Sequence, residues 1–339
     1  MLVGVDATNI LPGHGGGEEI YLRNVLKQMA QLERSVSFLV FTSLANHDSF
    51  DPMRRFEVAS TSAMAAEAAR AKIDVLFAPL GNPPVKTPGR TVLYSTGLAA
   101  LRELDERRKV LQASPLKQAA ARCLKASAIA APSEFIRREL RDLLEAPLDK
   151  VVVAPLGVDP VYGEEHPSIV DGPYVLVVGR TTHSRNLARF IEASERVTQD
   201  IPHTIVLVGQ PGEAERDDWG PRVVRFLALP KAHLAGLYRH CALCVCPSLY
   251  EGSGIVPLEA MRAGALLASG RVGGIAEVAG DVPVYFNPES VESMAGAMRR
   301  GLTEGKEERE RRARVGKKMS LEYTWERCAA QTLAAFRRT

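Results

Sequence analysis

The sequence predicts an α/β protein of two successive domains, each built on a doubly wound parallel sheet. The chain has 339 residues, more than the roughly 100 to 200 residues of a common single domain. Short apolar, β-branched runs alternate with helical patterns along most of its length, which is typical of parallel sheets with helices on both faces. A polar segment rich in proline and glycine interrupts that alternation near the middle.

The first half of the chain contains the runs that predict the first sheet. They are LVGV, SFLVF, DVLFA, TVLY, AIAA and VVVAP, at residues 2–5, 37–41, 74–78, 91–94, 128–131 and 151–155. Helical patterns lie between several of them, at residues 18–31, 62–72 and 133–144. Residues 156–173 then carry prolines, glycines and acids, and they predict an interdomain linker.

The alternation restarts in the second half and predicts a second sheet. Its runs are YVLVVG, TIVLVG, RVVRFL, LCVC, ALLAS and VPVYF, at residues 174–179, 204–209, 222–227, 243–246, 265–269 and 282–286. We therefore predict domains at residues 1–158 and 170–322. Ligands of such folds bind beyond the carboxyl ends of the strands, so we expect the functional residues there.

Composition and charge exclude several classes of protein. The chain is 46% hydrophobic and 24% charged, which fits a globular protein and excludes a largely disordered one. Its net charge of +3 gives no reason to expect a nucleic-acid partner. Asp6 interrupts the first apolar run, which argues against a secretory signal, and no run approaches the ~20 apolar residues of a membrane span. We expect a cytoplasmic protein.

Three of the five cysteines lie close together in CALCVC, as Cys241, Cys244 and Cys246. Their spacing alone leaves a metal site open. Buried thiols are the favoured interpretation, because Cys244 and Cys246 alternate along an apolar strand and no second ligand pair follows at zinc spacing. We therefore expect no metal.

Two loops predict binding of an anion. In VVGRTTHSRN a strand ends at Gly179, and Arg180 and Arg185 flank the polar loop before a helix, where guanidiniums and helix amides favour phosphate. The alternative interpretation is that Arg180 and Arg185 are two exposed surface arginines without a ligand. In PGHGGGEE, residues 12–19, glycines follow the first strand and allow backbone amides to approach a ligand. A surface turn is equally compatible with that second loop, which matches neither the dinucleotide fingerprint of dehydrogenases nor the P-loop.

A pair of glutamates stands out in SLYEGSGIVPLEAM, residues 248–261. Gly252 and Gly254 disfavour a helix through Glu251, so we predict Glu251 in a loop and Glu259 on the helix that follows. Acidic residues favoured at a helix start by the helix dipole are the alternative explanation.

Together, SLYEGSGIVPLEAM, VVGRTTHSRN, APSEFIRREL, VVVAPLGVDPVY and YTWERCAAQTLAAF resemble glycosyltransferase family four. These are retaining enzymes of carbohydrate biosynthesis with the GT-B fold, in which two Rossmann-like domains face a central cleft. The resemblance covers nearly the whole chain, is strongest over residues 129–288 and is thinnest over residues 44–124. It implies an acceptor-side first domain, a donor-binding second domain, and a final helix at about 323–339 that crosses back onto the first domain.

The resemblance also implies roles for the two glutamates and the loop between them. Glu259 would accept hydrogen bonds from the ribose hydroxyls of a nucleotide. Glu251 would hold a hydroxyl of the transferred sugar and stabilise a developing oxocarbenium ion. The sugar and phosphates would be lined by the amides of Gly252, Ser253, Gly254 and Ile255.

By the same resemblance, Arg180 and Arg185 would neutralise the leaving diphosphate, so that no catalytic metal is needed. Gly16 and Gly17 would add amides to that diphosphate, and the nucleobase would lie near residues 227–229. The implied partners are a nucleotide-diphosphate sugar as donor substrate, with no cofactor, and a glycan, lipid or small-molecule acceptor. Peripheral contact with the inner membrane face stays open, because the basic patch at residues 102–109 is offset by Glu103, Asp105 and Glu106.

One departure from the family concerns the first domain. Where a His-Asp pair is common, TVLYSTGLAA has Thr96 and Gly97, and no histidine lies between His47 and His166. His14 is a conceivable substitute, although an exposed loop histidine is the favoured interpretation. A non-catalytic nucleotide-sugar-binding protein, a sugar phosphorylase and an epimerase of GT-B fold therefore stay open as alternatives.

Overall fold

The computed structural model describes residues 1–10, 17–43, 50, 54–58, 60–99, 114–198, 202–212, 214–216 and 218–338. The chain divides into two compact units. The first contains Met1–Leu156 together with Trp325–Thr339, and the second contains Gly157–Thr324.

The first unit is built on a seven-stranded sheet of order β3-β2-β1-β4-β5-β6-β7. All of its neighbouring strands pair in parallel. The strands are β1 (Leu2–Asp6), β2 (Ser37–Thr42), β3 (Arg54–Glu57), β4 (Val75–Pro79), β5 (Arg90–Tyr94), β6 (Ala128–Ala131) and β7 (Val151–Val153). Its first helices are α1 (Gly17–Leu32), α2 (Thr61–Ala71), α3 (Pro115–Lys125) and α4 (Glu134–Leu144). The strand order reverses between β1 and β4, which is where such sheets bind ligands.

The second unit is built on a six-stranded parallel sheet of order β10-β9-β8-β11-β12-β13. The strands are β8 (Tyr174–Val178), β9 (Thr204–Val208), β10 (Val223–Phe226), β11 (Leu243–Cys246), β12 (Leu267–Gly270) and β13 (Val284–Phe286). The helices are α5 (Leu187–Thr198), α6 (Lys231–His240), α7 (Ile255–Ala263), α8 (Gly273–Ala279), α9 (Val291–Thr303) and α10 (Lys306–Ser320), followed by α11 (Trp325–Arg337) in the first unit. Here the order reverses between β8 and β11.

Helix α11 completes the core of the first unit through aromatic contacts. The Phe336 ring packs edge to face against Phe77, with 5.1 Å between the ring centroids. Tyr94, at the end of β5, lies against both Tyr21 and Phe77, at centroid distances of 5.3 and 4.9 Å. These rings are almost completely buried, so the last helix is part of this core.

The predicted fold class is confirmed, with two Rossmann-like units on parallel sheets. Every predicted strand forms, with ends within about two residues of the predicted bounds. Strand β3 and helix α3 were not predicted. Strand β3 has the sequence RRFE, which lacks an apolar run because it lies at the edge of the sheet.

The segment predicted as a linker, residues 156–173, is in large part folded into the second unit. It contains a 3-10 helix at Pro160–Gly163. Val158 and Tyr162 of this segment are buried in the core of the second unit, and the Tyr162 ring packs edge to face on Tyr238 at 5.8 Å. Buried apolar side chains thus anchor a segment whose prolines and acids suggested a linker.

The cysteine prediction is confirmed for Cys244 and Cys246, which are buried and unpaired in β11. Cys241 is also buried but follows α6 instead of lying in the strand, and burial raises the pKa of its thiol to about 12. Across the described ranges, no helix is both long and apolar enough to cross a membrane.

Candidate functional site

The second sheet brings Arg185 and Glu251 together where its strand order reverses. Arg185 ends the short 3-10 helix after β8, and Glu251 lies in the loop after β11. The Arg185 Nη1 atom donates to Glu251 Oε2 at 3.0 Å and to Ser248 Oγ at 3.1 Å. Both charged side chains are largely buried, with 18% and 11% exposed, so each neutralises the other in a partly desolvated site.

Asn186 holds these two loops in place. It adopts the left-handed conformation at φ 60°, which asparagine tolerates better than most residues. Its side-chain amide donates to the carbonyls of Pro247 and Pro288, at 3.0 and 2.7 Å. The backbone N–H of Leu249 donates to the Ser184 carbonyl at 2.8 Å. Because of these bonds the positions of Arg185 and Glu251 depend on one connected network.

The glycine-containing loop after Glu251 packs closely against helix α8. The Gly274 N–H donates to the Glu251 carbonyl at 2.8 Å. Gly254 precedes α7 with φ 72°, and a Cβ atom there would lie 2.6 Å from Val278 and 3.0 Å from the Gly274 carbonyl. Only glycine fits this position. Helix α7 begins at Ile255, directly after this loop. Its N-terminal amides, which favour anions, therefore follow Glu251 closely in the sequence.

Arg180 lies at the same sheet edge but is not part of the Arg185–Glu251 pair. Its side chain is exposed, and Nη2 donates to the Pro211 carbonyl at 3.3 Å, in the loop after β9. In the part of the chain that the structure describes, no carboxylate forms an ion pair with it. Arg180 therefore retains donors for an anionic ligand.

A second charged cluster, which the sequence did not reveal, fixes the loop that carries Arg180. Thr181 donates its hydroxyl to Glu215 Oε2 at 2.5 Å and accepts the Gly212 N–H at 2.7 Å. Glu215 also binds both terminal guanidinium nitrogens of Arg225 and the indole N–H of Trp219. These contacts, the Arg225 hydrogen bonds first among them, lower the pKa of Glu215 to about 2. The carboxylate joins the loops after β8 and β9 to strand β10.

Glu259 lies on α7 and interacts with two tyrosines, Tyr162 and Tyr238. Its Oε2 accepts the Tyr238 hydroxyl at 2.9 Å, and Tyr162 interacts with the same carboxyl group. Burial raises its pKa to about 7, although both tyrosines and the charge of Lys231 act in the opposite direction. Lys231 itself pairs with Asp159 at 2.6 Å. This carboxyl group therefore titrates in the neutral range, where ligand binding can change its protonation.

The other predicted residues lie on other elements or outside the described residues. Gly17 begins α1 of the first unit, whereas Gly16, His14 and the basic patch at residues 102–109 lie outside the described residues. Thr96 and Gly97 follow β5 and are half-buried. Residues 227–229 follow β10, and Leu227 is exposed. Their predicted roles stay predictions.

Comparison with known proteins relates part of the chain to a protein family. Residues 172–304 match the family model described as glycosyl transferases group 1. The match lies within the second unit and covers less than half of the chain. Arg180, Arg185, Glu251 and Glu259 all lie within the matched residues. Within the described ranges, no group of three or more His, Cys, Asp and Glu side chains could hold a metal ion.

The curated relatives of the chain include glycosyltransferases. It is 25% identical over 229 residues to the O-antigen chain mannosyltransferase B of Escherichia coli, covering 60% of this chain and 59% of the relative. It is 27% identical over 210 residues to an alpha-maltose-1-phosphate synthase of Mycolicibacterium smegmatis, covering 56% and 51%. The chain spans about half the length of the curated relatives it matches.

Solved structures with a similar fold extend over the whole chain. Sucrose-phosphate synthase from Thermosynechococcus elongatus has a TM-score of 0.80 at 18% identity and covers 99% of this chain and 98% of its own. Anabaena Alr3699/HepE in complex with UDP and glucose has a TM-score of 0.78 at 15% identity and covers 98% of each chain. The protein has the GT-B fold.

Proposed function

We propose that this protein is a retaining hexosyltransferase that moves a sugar from a nucleotide-diphosphate sugar to an acceptor hydroxyl. The observation that carries this proposal is the Arg185–Glu251 pair at the reversal of the second sheet, inside a glycosyl transferases group 1 domain. The Arg185 guanidinium, which can bind a diphosphate, and the Glu251 carboxylate, which can bind a sugar, are joined there by a hydrogen bond. The family resemblance of the two-glutamate segment supports the retaining stereochemistry and assignment to family four.

The donor is a nucleotide-diphosphate sugar, and uracil is the first base to test. Structural relatives have been solved with UDP and with UDP-glucose, which supports the choice. In the proposed complex, Arg180 and Arg185 bind the diphosphate, Glu251 binds the sugar, and Glu259 accepts the ribose hydroxyls. The amides of residues 252–255 line the sugar and phosphates. Burial makes the contacts of Arg185, Glu251 and Glu259 stronger than they would be in water.

Bond breaking is assisted mainly by charge. The bond between C1 of the donor sugar and the diphosphate oxygen breaks, and its electron pair stays on the departing phosphate. The two arginines stabilise that charge without a metal ion. Glu251, paired with Arg185 before the donor binds, then faces the positive charge that develops on the sugar ring.

Transfer is completed on the same face of the sugar. The acceptor oxygen forms its bond to C1 from the side that the phosphate leaves, and the acceptor proton passes to a phosphate oxygen. The products are a nucleoside diphosphate and a glycoside with retained configuration. No side-chain base is required, so the missing histidine in the Thr96–Gly97 segment does not prevent this mechanism.

Nucleotide binding tests the donor assignment first. Thermal unfolding should be measured with UDP, GDP, ADP and TDP, each with and without magnesium. We expect one base to raise the melting temperature selectively, and EDTA to leave that rise unchanged. No stabilisation by any nucleotide, checked by calorimetry, would rule out the donor site.

Product analysis then separates the alternatives. Glycoside formation from the selected nucleotide sugar on an acceptor panel, with retained configuration by NMR, supports the transferase. Sugar phosphate formed from a glycoside and inorganic phosphate would indicate a phosphorylase. A changed sugar configuration without any acceptor would indicate an epimerase, and binding without turnover would indicate a non-catalytic binding protein. Membrane association is tested separately, by sedimentation with anionic vesicles.

A further inference from the structure

Tyr238 is a buried tyrosine of the second unit to which the proposed transfer mechanism gives no role. It lies on α6 and is fully buried, and it donates its hydroxyl to Glu259 Oε2 at 2.9 Å. A phenol inside a core loses its hydrogen bonds to water, so burial is favourable only where the hydroxyl has a partner. Here that partner is the carboxylate to which the proposed complex assigns the ribose.

The ring of Tyr238 is fixed by its surroundings. Tyr162 is almost fully buried and packs edge to face on this ring, with 5.8 Å between the ring centroids. Helix α6 is held close to the preceding segment at Gly236, where a Cβ atom would collide with the Pro167 carbonyl. The hydroxyl therefore reaches Glu259 from a rigid support, as is required of a side chain that orients another one.

A neutral donor, and not a cation, holds the Glu259 carboxylate. Within the described ranges, no arginine or lysine forms an ion pair with it. The ammonium of Lys231 acts on it electrostatically but pairs with Asp159 at 2.6 Å. The titratable groups that act on Glu259 come from α6, from the 156–173 segment and from β11, and they are Tyr238, Lys231, Tyr162, Asp159 and Cys244.

The type of donor decides how much of the carboxylate stays available to a ligand. An arginine would occupy both oxygens in a bidentate pair, whereas a phenol uses one lone pair of the roughly four that a carboxylate offers. The remaining lone pairs can accept two neighbouring hydroxyl groups. A hydrogen bond to the charged form also favours that form, and the Tyr238 bond lowers the pKa of Glu259 against the larger effect of burial.

We propose that Tyr238 is a positioning residue that keeps Glu259 oriented and ionised for the two ribose hydroxyls of the donor nucleotide. The inference rests on the proposed function for the identity of the ligand. It deepens that function by making Tyr238 a determinant of the preference for a ribonucleotide. A 2′-deoxyribonucleotide offers one hydroxyl less to the oriented carboxylate and therefore gains less from it.

Affinities for UDP and 2′-deoxy-UDP, measured by calorimetry on the full chain, test this role. The two ligands differ only in one ribose hydroxyl, so the ratio of their affinities isolates the contact with Glu259. We expect wild type to bind UDP roughly tenfold more tightly than 2′-deoxy-UDP at pH 7. Tyr238→Phe should weaken UDP binding by roughly fivefold or more and reduce the preference for UDP to about threefold or less. A preference equal to that of wild type would overturn the role in orientation.

The pH dependence of UDP binding tests the role in ionisation. Without the hydroxyl, Glu259 loses a donor that favours its charged form, so its pKa rises in Tyr238→Phe. Fewer carboxylates are then ionised at pH 7, and raising the pH to 8.5 should restore part of the lost UDP affinity. Wild type measured at the same two values corrects for the titration of the nucleotide itself. An affinity loss of the same size at both values would overturn this role.

Tyr174→Phe is the matched control. Tyr174 of β8 is almost fully buried and donates its hydroxyl to the Leu237 carbonyl of α6 at 2.9 Å. The variant therefore removes a buried hydrogen bond at the same helix without touching a carboxylate. Both variants should lower the melting temperature, but Tyr174→Phe should keep the wild-type preference for UDP and the wild-type pH dependence. An equal loss of preference in the two variants would overturn the proposal, because packing alone would then explain it.

The wild-type measurements keep this inference and the proposed function apart. If wild type binds no nucleotide, the donor site itself is contradicted, and the role of Tyr238 is overturned with it. If wild type binds UDP and prefers it to 2′-deoxy-UDP while Tyr238→Phe behaves identically, the donor site stands and only the role of Tyr238 is overturned.

Discussion

Among single residues, Arg185 and Glu259 are expected to affect different quantities when they are replaced: turnover for Arg185 and nucleotide binding for Glu259. In the proposed mechanism Arg185 faces charge that grows as the diphosphate leaves, so Arg185→Ala should lower kcat by roughly 100-fold or more. In the proposed complex Glu259 binds the ribose, which does not react, so Glu259→Ala should mainly weaken nucleotide binding.

Steady-state kinetics and UDP calorimetry on both variants measure this difference. Arg196→Ala is the control, because this exposed arginine forms surface ion pairs with Glu192 and Glu292 and should leave kcat and affinity unchanged. Unchanged kcat in Arg185→Ala and unchanged UDP affinity in Glu259→Ala would contradict the site assignment.

The titration of Glu259 gives a prediction about stability. Its folded pKa is raised from 4.5 to about 7, so the native state holds the proton more tightly than the unfolded chain. The resulting stability is fully present below about pH 4.5 and is lost as pH rises through about 7, by up to about 3 kcal/mol.

Glu259→Gln removes this loss. Relative to wild type, the free energy of unfolding of the variant should therefore increase between pH 5 and pH 8, as urea titrations at both values would measure. The exposed Glu307→Gln variant should show no such difference from wild type. A gap between Glu259→Gln and wild type that stays constant with pH would mean that the buried carboxyl does not titrate in this range.

At the scale of elements, helix α7 offers a matched comparison between its two ends. Gly254 and Gly264 both have positive φ, at 72° and 80°. A Cβ atom at Gly254 would collide with Val278 and the Gly274 carbonyl, whereas nothing lies within 4 Å of the corresponding position at Gly264. Both alanine variants carry the backbone strain, but only Gly254→Ala also disturbs the loop that holds Glu251.

Gly264→Ala should therefore lower the free energy of unfolding by about 1 kcal/mol and leave UDP affinity intact. Gly254→Ala should lower it by about 2 kcal/mol or more and weaken UDP binding. Chemical denaturation and calorimetry on both proteins measure these quantities. Equal losses in the two variants would show that the contact with α8 has no energetic role.

The cluster around Glu215 predicts an effect on the Arg180 loop. Thr181→Val removes the hydroxyl that joins this loop to Glu215 and Gly212 while keeping the size of the side chain. We expect kcat to fall by about tenfold, because Arg180 loses its fixed position. Thr303→Val, at the exposed end of α9 where the hydroxyl bonds within its own helix, should leave kcat unchanged.

Elements with a simple pattern were predictable from the sequence, and contacts between distant segments were not. Strands such as β6 and β11 are buried on both faces, so they appear as continuous apolar runs. Edge strand β3 has no such run. The meeting of Arg185 and Glu251 could be expected because β8 and β11 are neighbours in a doubly wound sheet. The surroundings of Glu259 could not be predicted, because Tyr162, Tyr238 and Glu259 come from three separated segments whose packing no local pattern encodes.

For the whole molecule, the division into two units predicts that the two cores unfold in separate transitions. Phe336 belongs to the core of the first unit, where its ring packs on Phe77. Met294 of α9 is fully buried in a core of the second unit. Truncating either side chain to alanine leaves a cavity that costs about 2 to 5 kcal/mol.

Calorimetric unfolding should show which unit each truncation affects. UDP binds the second unit in our proposal, so it should raise only the transition that Met294→Ala lowers. Phe336→Ala should lower the other transition and leave the UDP-induced rise in place, because α11 is the end of the first core even though it follows the second unit in sequence. If Phe336→Ala and Met294→Ala lowered one and the same transition, the two cores would unfold as a single cooperative unit. In that case a nucleotide bound to the second unit would stabilise the first unit as well.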